Sequence, residues 1–187
     1  MGKVEDMERQ ESWHYMTIRD FTKFIKQYFG KADNLIGVEV GVWQGANALS
    51  MYQYLLPKKL ILVDAWNDNV ESVEPETNQE HLLSTFQKFK DNTNVLIIRG
   101  MSVATATILK ELTFDFVYLD GCHHAEQVAL DINHWYPLVK DGGVLGGHDY
   151  NMDGIFNAVN ERFTEISFAP KPIPGVTWQG IDWWVVK

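Results

Sequence analysis

The sequence predicts an α/β fold with a mostly parallel sheet and helices on both faces, because short apolar runs alternate with segments of helical spacing. Residues 60–63 form a continuous apolar run, which is typical of strands buried on both sides of a parallel sheet. Just before this run, apolar side chains recur at helical spacing from Ala46 to Leu56. The alternation continues through the 187 residues, so we expect a single domain over residues 1–187.

The first predicted element is a helix within residues 1–34, whose apolar face should cover the sheet or a bound cofactor. That face consists of Ile18, Phe21, Phe24, Ile25, Tyr28 and Phe29. A strand over residues 35–40 follows it. Residues 65–80 are polar and acidic and include a proline, so we expect a long loop that acts as a lid. A plain connector is the alternative for this loop.

The second half of the chain repeats the alternation of helices and strands. Its predicted elements are, in order, a helix from Leu82, strands over residues 95–98 and 116–119, a helix from Val128, and two short strands at 167–168 and 182–186. The helix from Val128 should end at Pro137, ahead of a turn at residues 141–143.

A loop with two glycines joins the first predicted strand to the next helix. Gly41 and Gly45 follow that strand, and glycine lets a backbone turn tightly or approach a ligand closely. The N–H groups at the start of the helix can bind a polar or anionic ligand. Asp64 ends the next strand about 20 residues beyond the glycines, the spacing at which nucleotide-binding α/β folds place a carboxylate on ribose hydroxyls.

Both features also have a purely structural interpretation. Glycines at a strand-to-helix turn can serve the turn alone, and Asp64 can cap the loop that follows it. Together the two features favour a ribose-containing cofactor. Trp43 stands where a dinucleotide-binding loop has its second glycine, which disfavours a close approach of pyrophosphate.

Four motifs resemble those of class I S-adenosylmethionine-dependent methyltransferases. They are Glu39-x-Gly41-x-x-x-Gly45, Val63-Asp64, Asp120-Gly121-x-His123, and residues 141–150 with His148-Asp149. The resemblance extends over residues 36–187, and within the class the chain is similar to the macrocin and sugar O-methyltransferases, with the cephalosporin hydroxylase group nearby. It implies a Rossmann-like, mostly parallel seven-stranded sheet that an antiparallel C-terminal strand closes.

The resemblance also implies the reaction and the cofactor-binding residues. The reaction would be methyl transfer from S-adenosylmethionine to a hydroxyl oxygen of a small molecule, such as a sugar or natural product. The cofactor would contact Glu39, Gly41, Gly45, Asp64, Ala65, Met101, Ser102 and Asp120. Met101 departs from the acidic residue that many relatives have there, although a thioether can pack on a purine face.

A divalent-metal site is expected at Asp120, His148 and Asp149. These residues follow two apolar strands, and open α/β sheets bind ligands at the carboxyl ends of their strands. Two carboxylates and an imidazole suit a divalent ion. In related metal-dependent O-methyltransferases the matching residues hold magnesium, whereas an imidazole favours softer ions such as manganese. A metal-free acid/base pair of His148 and Asp149 is one alternative, and a helix N-cap role is another for Asp120.

His123 is the expected general base, and Asp120 the second catalytic residue. An imidazole has an ordinary pKa of about 6.5, so it can accept a proton at neutral pH. His123 lies three residues after Asp120, so one turn can hold both side chains over the same cleft. His124 is expected to be solvated at the surface.

The composition limits the partners. The 16 basic and 25 acidic residues give a net charge of −9 without a basic cluster, which predicts that the protein does not bind nucleic acid. A single cysteine, Cys122, suits a reducing compartment. The first residues lack the apolar core of a signal peptide and no run has transmembrane length, so we expect a cytoplasmic protein without a membrane partner. Seven tryptophans, some near the termini, indicate a contact surface and hence a homodimer.

Two other classes of function stay open from the sequence. One is an oxidoreductase or hydroxylase on the same scaffold, and the other is a cofactor-binding protein without catalysis. Comparing the binding of S-adenosylmethionine with that of NAD would separate the first of these from a methyltransferase.

Overall fold

The fold is a seven-stranded sheet between two layers of helices. The computed structural model describes residues 18–66, 75–171 and 180–187. Its strands are β1 Ile36–Val40, β2 Lys59–Asp64, β3 Val95–Arg99, β4 Phe114–Leu119, β5 Val139–Gly147, β6 Ser167–Ala169 and β7 Asp182–Val186. Its helices are α1 Asp20–Phe29, α2 Ala46–Leu55, α3 Pro75–Phe89, α4 Ser102–Ile108, α5 Ala125–Trp135 and α6 Asp153–Arg162, with a 3₁₀ turn at Tyr136–Leu138.

The order of the strands in the sheet is β3-β2-β1-β4-β5-β7-β6. Strands β1 to β5 pair in parallel, whereas β7 pairs antiparallel with both β5 and β6. The expected Rossmann-like sheet with an antiparallel C-terminal strand is therefore confirmed. The order reverses direction between β1 and β4, and open α/β sheets bind ligands beside such a reversal.

The two faces of the sheet are covered by helices from different halves of the chain. Along β2, Leu60 and Leu62 pack toward α1, α2 and α3, whereas Ile61 and Val63 pack toward α4, α5 and α6. Successive side chains of a strand point to opposite faces, so an apolar residue at every position is what two helical layers require. This explains why polar and apolar residues do not alternate along the central strands.

Helix α1 covers the sheet, which is one of the two positions predicted for the first helix. The Phe21 ring lies against Phe116 and Tyr118 of β4, with ring centroids 6.2 and 4.7 Å apart. Gly30 ends the helix with a φ of 71°, a conformation that glycine adopts without strain. Residues 1–17 of the predicted cover lie outside the described residues.

The prediction of a loop over residues 65–80 is wrong at its C-terminal end. Helix α3 begins at Pro75, so residues 75–80 are helical. Proline is favoured in the first turn of a helix because its fixed φ suits that turn and its missing N–H is not needed there. Residues 67–74 lie outside the described residues, so the lid role stays a prediction.

The expected turn at residues 141–143 is also corrected. These residues lie within β5, where the pairing with β4 shifts register between Phe114 and Phe116. The φ of Gly142 is 74°, and its N–H donates to the carbonyl of Lys187 at 2.8 Å. The backbone of Lys187 thus stabilises a bulge in β5 at Gly142.

Among the described residues, no helix is both long enough and apolar enough to cross a membrane.

Candidate active site

The candidate site lies where the carboxyl ends of four neighbouring strands meet. Backbone hydrogen bonds join these ends beyond the regular ladders. The N–H of Gly41 donates to Val63, that of Asp120 to Val40, and that of His148 to Leu119. The residues that follow β1, β4 and β5 are therefore held in fixed positions relative to the sheet.

The glycine loop between β1 and α2 is shaped by its own packing. Gly41 has a φ of 86°, and a Cβ there would collide with the backbone of Asp120 and Gly121. Gly45 has a φ of 77°, and its Cβ would lie 2.9 Å from Thr85 Oγ1 of α3. Both glycines are thus required by the fold itself, because L-residues with a side chain resist positive φ.

Asp64 fixes the glycine loop from the end of β2. Its Oδ2 accepts hydrogen bonds from the N–H groups of Val42 at 2.8 Å and Trp43 at 2.7 Å. Its Oδ1 accepts one from the N–H of Trp66 at 2.8 Å. The structural interpretation of Asp64 as a loop cap therefore holds. A carboxylate oxygen can accept two hydrogen bonds, so Oδ1 keeps a position for a ribose hydroxyl.

Glu39 is a buried carboxyl group in β1 that is only partly paired. Its Oε1 accepts a hydrogen bond from Asn47 Nδ2 at 3.1 Å, whereas its Oε2 has no partner among the described residues. Burial raises the pKa of Glu39 to about 8, against the lowering effect of the Asn47 hydrogen bond. Buried polar atoms are nearly always paired, so an unpaired one beside a ligand-binding edge suits a donor on a ligand. Glu39 therefore fits the cationic amino group of S-adenosylmethionine.

The other residues expected to contact the cofactor take different positions. Met101 is the N-cap residue of α4, and its side chain is 55% exposed. The Oγ of Ser102 accepts a hydrogen bond from Trp135 Nε1 at 2.9 Å, so this hydroxyl serves the contact between α4 and α5. The carbonyl of Ala65 accepts a hydrogen bond from Arg99 Nε at 3.3 Å.

Asp120 follows β4 and forms an ion pair with Arg19. Arg19 Nη1 lies 2.6 Å from Asp120 Oδ2, and the two side chains are 23% and 16% exposed. Burial raises the pKa of Asp120, although the charges of Arg19 and His148 oppose this effect. Helix α5 begins at Ala125 with His124 as its N-cap residue, so the N-cap alternative for Asp120 is excluded.

The partners of Asp120 were not predicted from the sequence. Arg19 Nη1 also donates to the hydroxyl of Tyr118 at 2.6 Å. The Tyr118 hydroxyl donates to Asp182 Oδ1 at 2.7 Å, and the N–H of Phe21 donates to Asp182 Oδ2 at 2.9 Å. The available signal was the acidic residue Asp182 at the start of an otherwise apolar strand, because a buried carboxylate requires donors.

Asp149 lies between two imidazoles. Its Oδ2 is 3.0 Å from His123 Nε2, and its Oδ1 is 3.0 Å from His148 Nδ1. Burial would raise the pKa of Asp149, but the hydrogen bonds and charges of His148 and His123 outweigh burial and lower it. Asp149 also has a φ of 55°, and such strain in a residue with a side chain is often kept at functional sites.

Three side chains are placed so that they could hold a metal ion. Asp120, His123 and Asp149 each offer one ligand atom, and these atoms lie within 4.8 Å of one another. His148 Nδ1 lies 3.7 Å from Asp120 Oδ1 and 3.0 Å from Asp149. The other edge of the His148 ring faces Gly180, where a Cβ would collide with it. The donor set of two carboxylates and an imidazole suits a small divalent ion.

A small pocket opens beside this cluster. It is lined by Asp120, His123 and His148, and by the apolar side chains of Val128, Ile155 and Trp183. Its lining thus combines ionisable and apolar side chains. The exposed residue Cys122 lies at its edge.

Comparisons with known proteins agree with this fold. A family model described as a methyltransferase domain matches residues 38–150. No curated protein sequence matches the chain. An rRNA methylase from Streptococcus thermophilus is similar in structure, with a TM-score of 0.67 and 15% identity over 89% of this chain and 93% of that one. An O-methyltransferase from Bacillus cereus in complex with SAH has a TM-score of 0.63 and 15% identity over 98% and 90%.

A third similar structure carries a different activity. A precorrin 8W decarboxylase from Methanobacterium thermoautotrophicum has a TM-score of 0.63 and 13% identity over 90% of each chain. At such identities the likeness concerns the fold alone, and it leaves the acceptor open. The family model covers more than half of the chain and includes the glycine loop, Asp120 and Asp149. The chain therefore belongs to the methyltransferase-domain family, and its fold is that of the S-adenosylmethionine-dependent enzymes.

Proposed function

We propose that this methyltransferase transfers a methyl group from S-adenosylmethionine to a hydroxyl oxygen of a small molecule. The observation that carries the proposal is the contact of His123 with Asp149, beside Asp120 at the ends of β4 and β5. The resemblance to macrocin and sugar O-methyltransferases makes sugars and sugar-bearing natural products the first acceptors to test.

The proposed cofactor seat runs along the ends of β1, β2 and β3. Glu39 Oε2 would accept from the amino group of S-adenosylmethionine, and Asp64 Oδ1 from a ribose hydroxyl. Gly41 and Gly45 would shape the loop beneath the cofactor. The remaining proposed contacts come from Ala65, Met101, Ser102 and Asp120.

His123 would remove the proton of the acceptor hydroxyl. If Asp149 accepts the Nε2–H of His123, the ring keeps Nδ1 free to take a proton. Bound S-adenosylmethionine supplies a methyl group on a positively charged sulfur. The hydroxyl oxygen would bond to this carbon as the S–CH₃ bond breaks, and His123 would take the hydroxyl proton. Because oxygen, carbon and sulfur must lie in line, positioning by the rigid strand ends contributes to the rate.

A divalent ion, magnesium or manganese, is the second part of the proposal. Asp120 and Asp149 would bind it together with an imidazole, which was expected to be His148 and which the distances also allow to be His123. Such an ion lowers the pKa of a bound hydroxyl group and so assists deprotonation.

The first experiment is calorimetry of the purified protein with S-adenosylmethionine, S-adenosylhomocysteine and NAD. We expect the two S-adenosyl compounds to bind and NAD not to bind. A screen of hydroxylated small molecules by mass spectrometry should then find an acceptor that gains one methylene. Binding of NAD alone would refute the proposed activity and favour an oxidoreductase.

The role of the metal has a separate test. Exhaustive treatment with EDTA should abolish turnover and leave cofactor binding largely intact, because the cofactor seat lies on the earlier strands. Full turnover after chelation would instead support deprotonation by the His123–Asp149 pair alone.

A further inference from the structure

The ion pair of Arg19 and Asp120 joins residues that are 101 positions apart in the sequence. Arg19 immediately precedes α1, so its side chain crosses from the edge of that helix to the end of β4. The separation of 2.6 Å is typical of a strong charge-assisted hydrogen bond. Asp120 therefore has a cationic partner in the protein before any ligand binds.

The guanidinium group is held in this position by further contacts. Its Nη1 donates to the hydroxyl of Tyr118, and its central carbon lies 5.5 Å from the centre of the Tyr118 ring. Tyr118 is itself fixed by its hydrogen bond to Asp182, which also caps the first turn of α1. Fixed side chains lose little conformational entropy when they form an ion pair, so this pair is more than a transient surface contact.

The same carboxylate belongs to the proposed metal site. A divalent ion bound to Asp120 would lie within a few ångströms of the Arg19 guanidinium, and the two positive charges would repel each other. The ion would also compete with Arg19 for the charge of Asp120. A carboxylate that already has a cationic partner is a weaker metal ligand than a free one.

We propose that Arg19 is a positioning residue that acts as the resident cation of Asp120, and that a divalent ion must compete with it for this carboxylate. The proposal rests on the proposed metal site. It predicts weak metal binding in the wild-type protein and tighter binding once Arg19 is removed. A purely structural role for Arg19 predicts the opposite, because a disordered site binds metal less well.

The test is Mn²⁺ binding to the cofactor-free protein, measured by electron paramagnetic resonance of the free ion. We expect Arg19→Met to bind Mn²⁺ at least about tenfold more tightly than the wild type, because one repulsive charge is removed from the site. Arg19→Lys keeps the charge and should stay close to the wild type. The gain in Arg19→Met should vanish when Asp120→Asn is added.

Lys23→Met is the matched control. It removes one positive charge from α1, close to Arg19 in sequence, but the exposed Lys23 side chain pairs with Asp20 at 2.8 Å. Its Mn²⁺ affinity should equal that of the wild type. Equal gains in Lys23→Met and Arg19→Met would show a general charge effect and overturn the proposal, as would an unchanged or weaker affinity in Arg19→Met.

A second measurement uses the wild-type protein, in case Arg19→Met does not fold. The sequence has four arginines, Arg9, Arg19, Arg99 and Arg162, so their Nε–H signals can be resolved by nuclear magnetic resonance. The signal that is missing in Arg19→Lys identifies Arg19. It should shift when Mg²⁺ is added, whereas those of Arg99 and Arg162 should not. A signal that stays in place at saturating Mg²⁺ would refute the competition.

These outcomes distinguish the proposed methyl transfer, the proposed metal site and the proposed competition between Arg19 and the metal. Metal binding that is indifferent to Arg19 overturns the competition and leaves the metal site standing. No binding of Mn²⁺ by any variant overturns both of them. The proposed methyl transfer is tested independently, by calorimetry with S-adenosylmethionine and by the mass-spectrometric screen for a methylated acceptor.

Discussion

The two halves of the candidate site are held by different kinds of interaction. At the ends of β1 and β2, the loop conformation depends on positive φ angles at Gly41 and Gly45 and on backbone N–H groups that donate to Asp64. At the ends of β4 and β5, Asp120 and Asp149 are instead held by ion pairs with other side chains. We call these the cofactor half and the reactive half.

Substitutions in the two halves should therefore have different effects. Backbone conformation is part of the fold, so a substitution in the cofactor half should change stability and ligand binding together. Partly exposed ion pairs contribute little to stability, so a substitution in the reactive half should change the chemistry and leave the fold intact. The following predictions test this contrast, starting with the largest effect.

The largest effect is expected from His123→Ala in the reactive half. Loss of a positioned general base should lower the rate of the chemical step by about 10²–10⁴-fold. The melting temperature and the affinity for S-adenosylmethionine should hardly change, because the His123 side chain is 46% exposed and is not proposed to touch the cofactor. Single-turnover kinetics, calorimetry and thermal unfolding measure the three quantities.

His124→Ala is the matched control for this prediction. His124 is the N-cap residue of α5, and its side chain makes no capping hydrogen bond, so the variant should be nearly as active as the wild type. If neither variant loses activity, the proton is removed by Asp149 or by a metal-bound group.

The second prediction concerns Glu39, the buried carboxyl group of the cofactor half. Its pKa is about 8 in the folded protein and about 4.5, the ordinary value, in the unfolded chain. Between these pH values the unfolded chain has released the proton and the folded protein retains it. The free energy of unfolding should therefore decrease as pH rises, by up to about 1.4 kcal/mol per pH unit, and level off above pH 8.

Glu39→Gln should lack this contribution. Urea unfolding of both proteins from pH 5 to pH 9 gives the difference, and curves that run parallel across this range would contradict the buried, protonated state of Glu39. Addition of S-adenosylmethionine should release protons from the wild type alone, because a cationic amino group favours the carboxylate. Calorimetry in buffers of different ionisation enthalpy measures that release.

The third prediction is the effect of Gly41→Ala on stability. The added methyl group would meet the backbone of Asp120 and Gly121, and alanine would be forced to a φ of 86°. Overpacking and backbone strain together should lower the free energy of unfolding by about 2–4 kcal/mol. Gly30→Ala is the control, because its φ is 71° but, in the part of the chain that the structure describes, no atom lies within 4 Å of the added methyl group. Its free energy of unfolding should fall by only about 1–2 kcal/mol.

The contrast between the halves also explains which parts of the site could be predicted from the sequence. Glycines and acidic residues at strand ends have fixed spacing, so Gly41, Asp64 and Asp120 were placed correctly at one edge of the sheet. Arg19 was not predicted, because a partner 101 residues away in sequence leaves no local pattern. Local patterns record backbone requirements, whereas ion pairs between distant elements depend on the packing of the whole domain.

The boundary of α3 was missed for a different reason. Proline is common both in loops and in the first turn of a helix, so composition alone does not show that Pro75 begins α3. The sequence does not distinguish the two candidate imidazoles of the metal site either, because His123 and His148 both lie 3.0 Å from Asp149.

The smallest effect is expected from Asp64→Ala. Asp64 holds the glycine loop and is also proposed to bind the ribose of the cofactor, so the variant affects both roles. Loss of a hydrogen bond from a ribose hydroxyl to a charged group should cost roughly 1.5–3 kcal/mol, which is at least about tenfold in the affinity for S-adenosylmethionine. The variant also loses the acceptor for the N–H groups of Val42, Trp43 and Trp66, so its melting temperature without ligand should fall too.

Asp64→Asn separates these two roles. Its amide oxygen can still accept from Val42 and Trp43, so the variant keeps two of the three loop hydrogen bonds and most of the melting temperature. Its NH₂ group takes the place of Oδ1, so the acceptor for Trp66 and for the proposed ribose hydroxyl is lost. We therefore expect calorimetry to show weaker cofactor binding in both variants and differential scanning to show a lower melting temperature mainly in Asp64→Ala. Wild-type affinity in Asp64→Asn would mean that Asp64 acts only on the loop, because the NH₂ group at the position of Oδ1 cannot accept a hydrogen bond from the ribose hydroxyl.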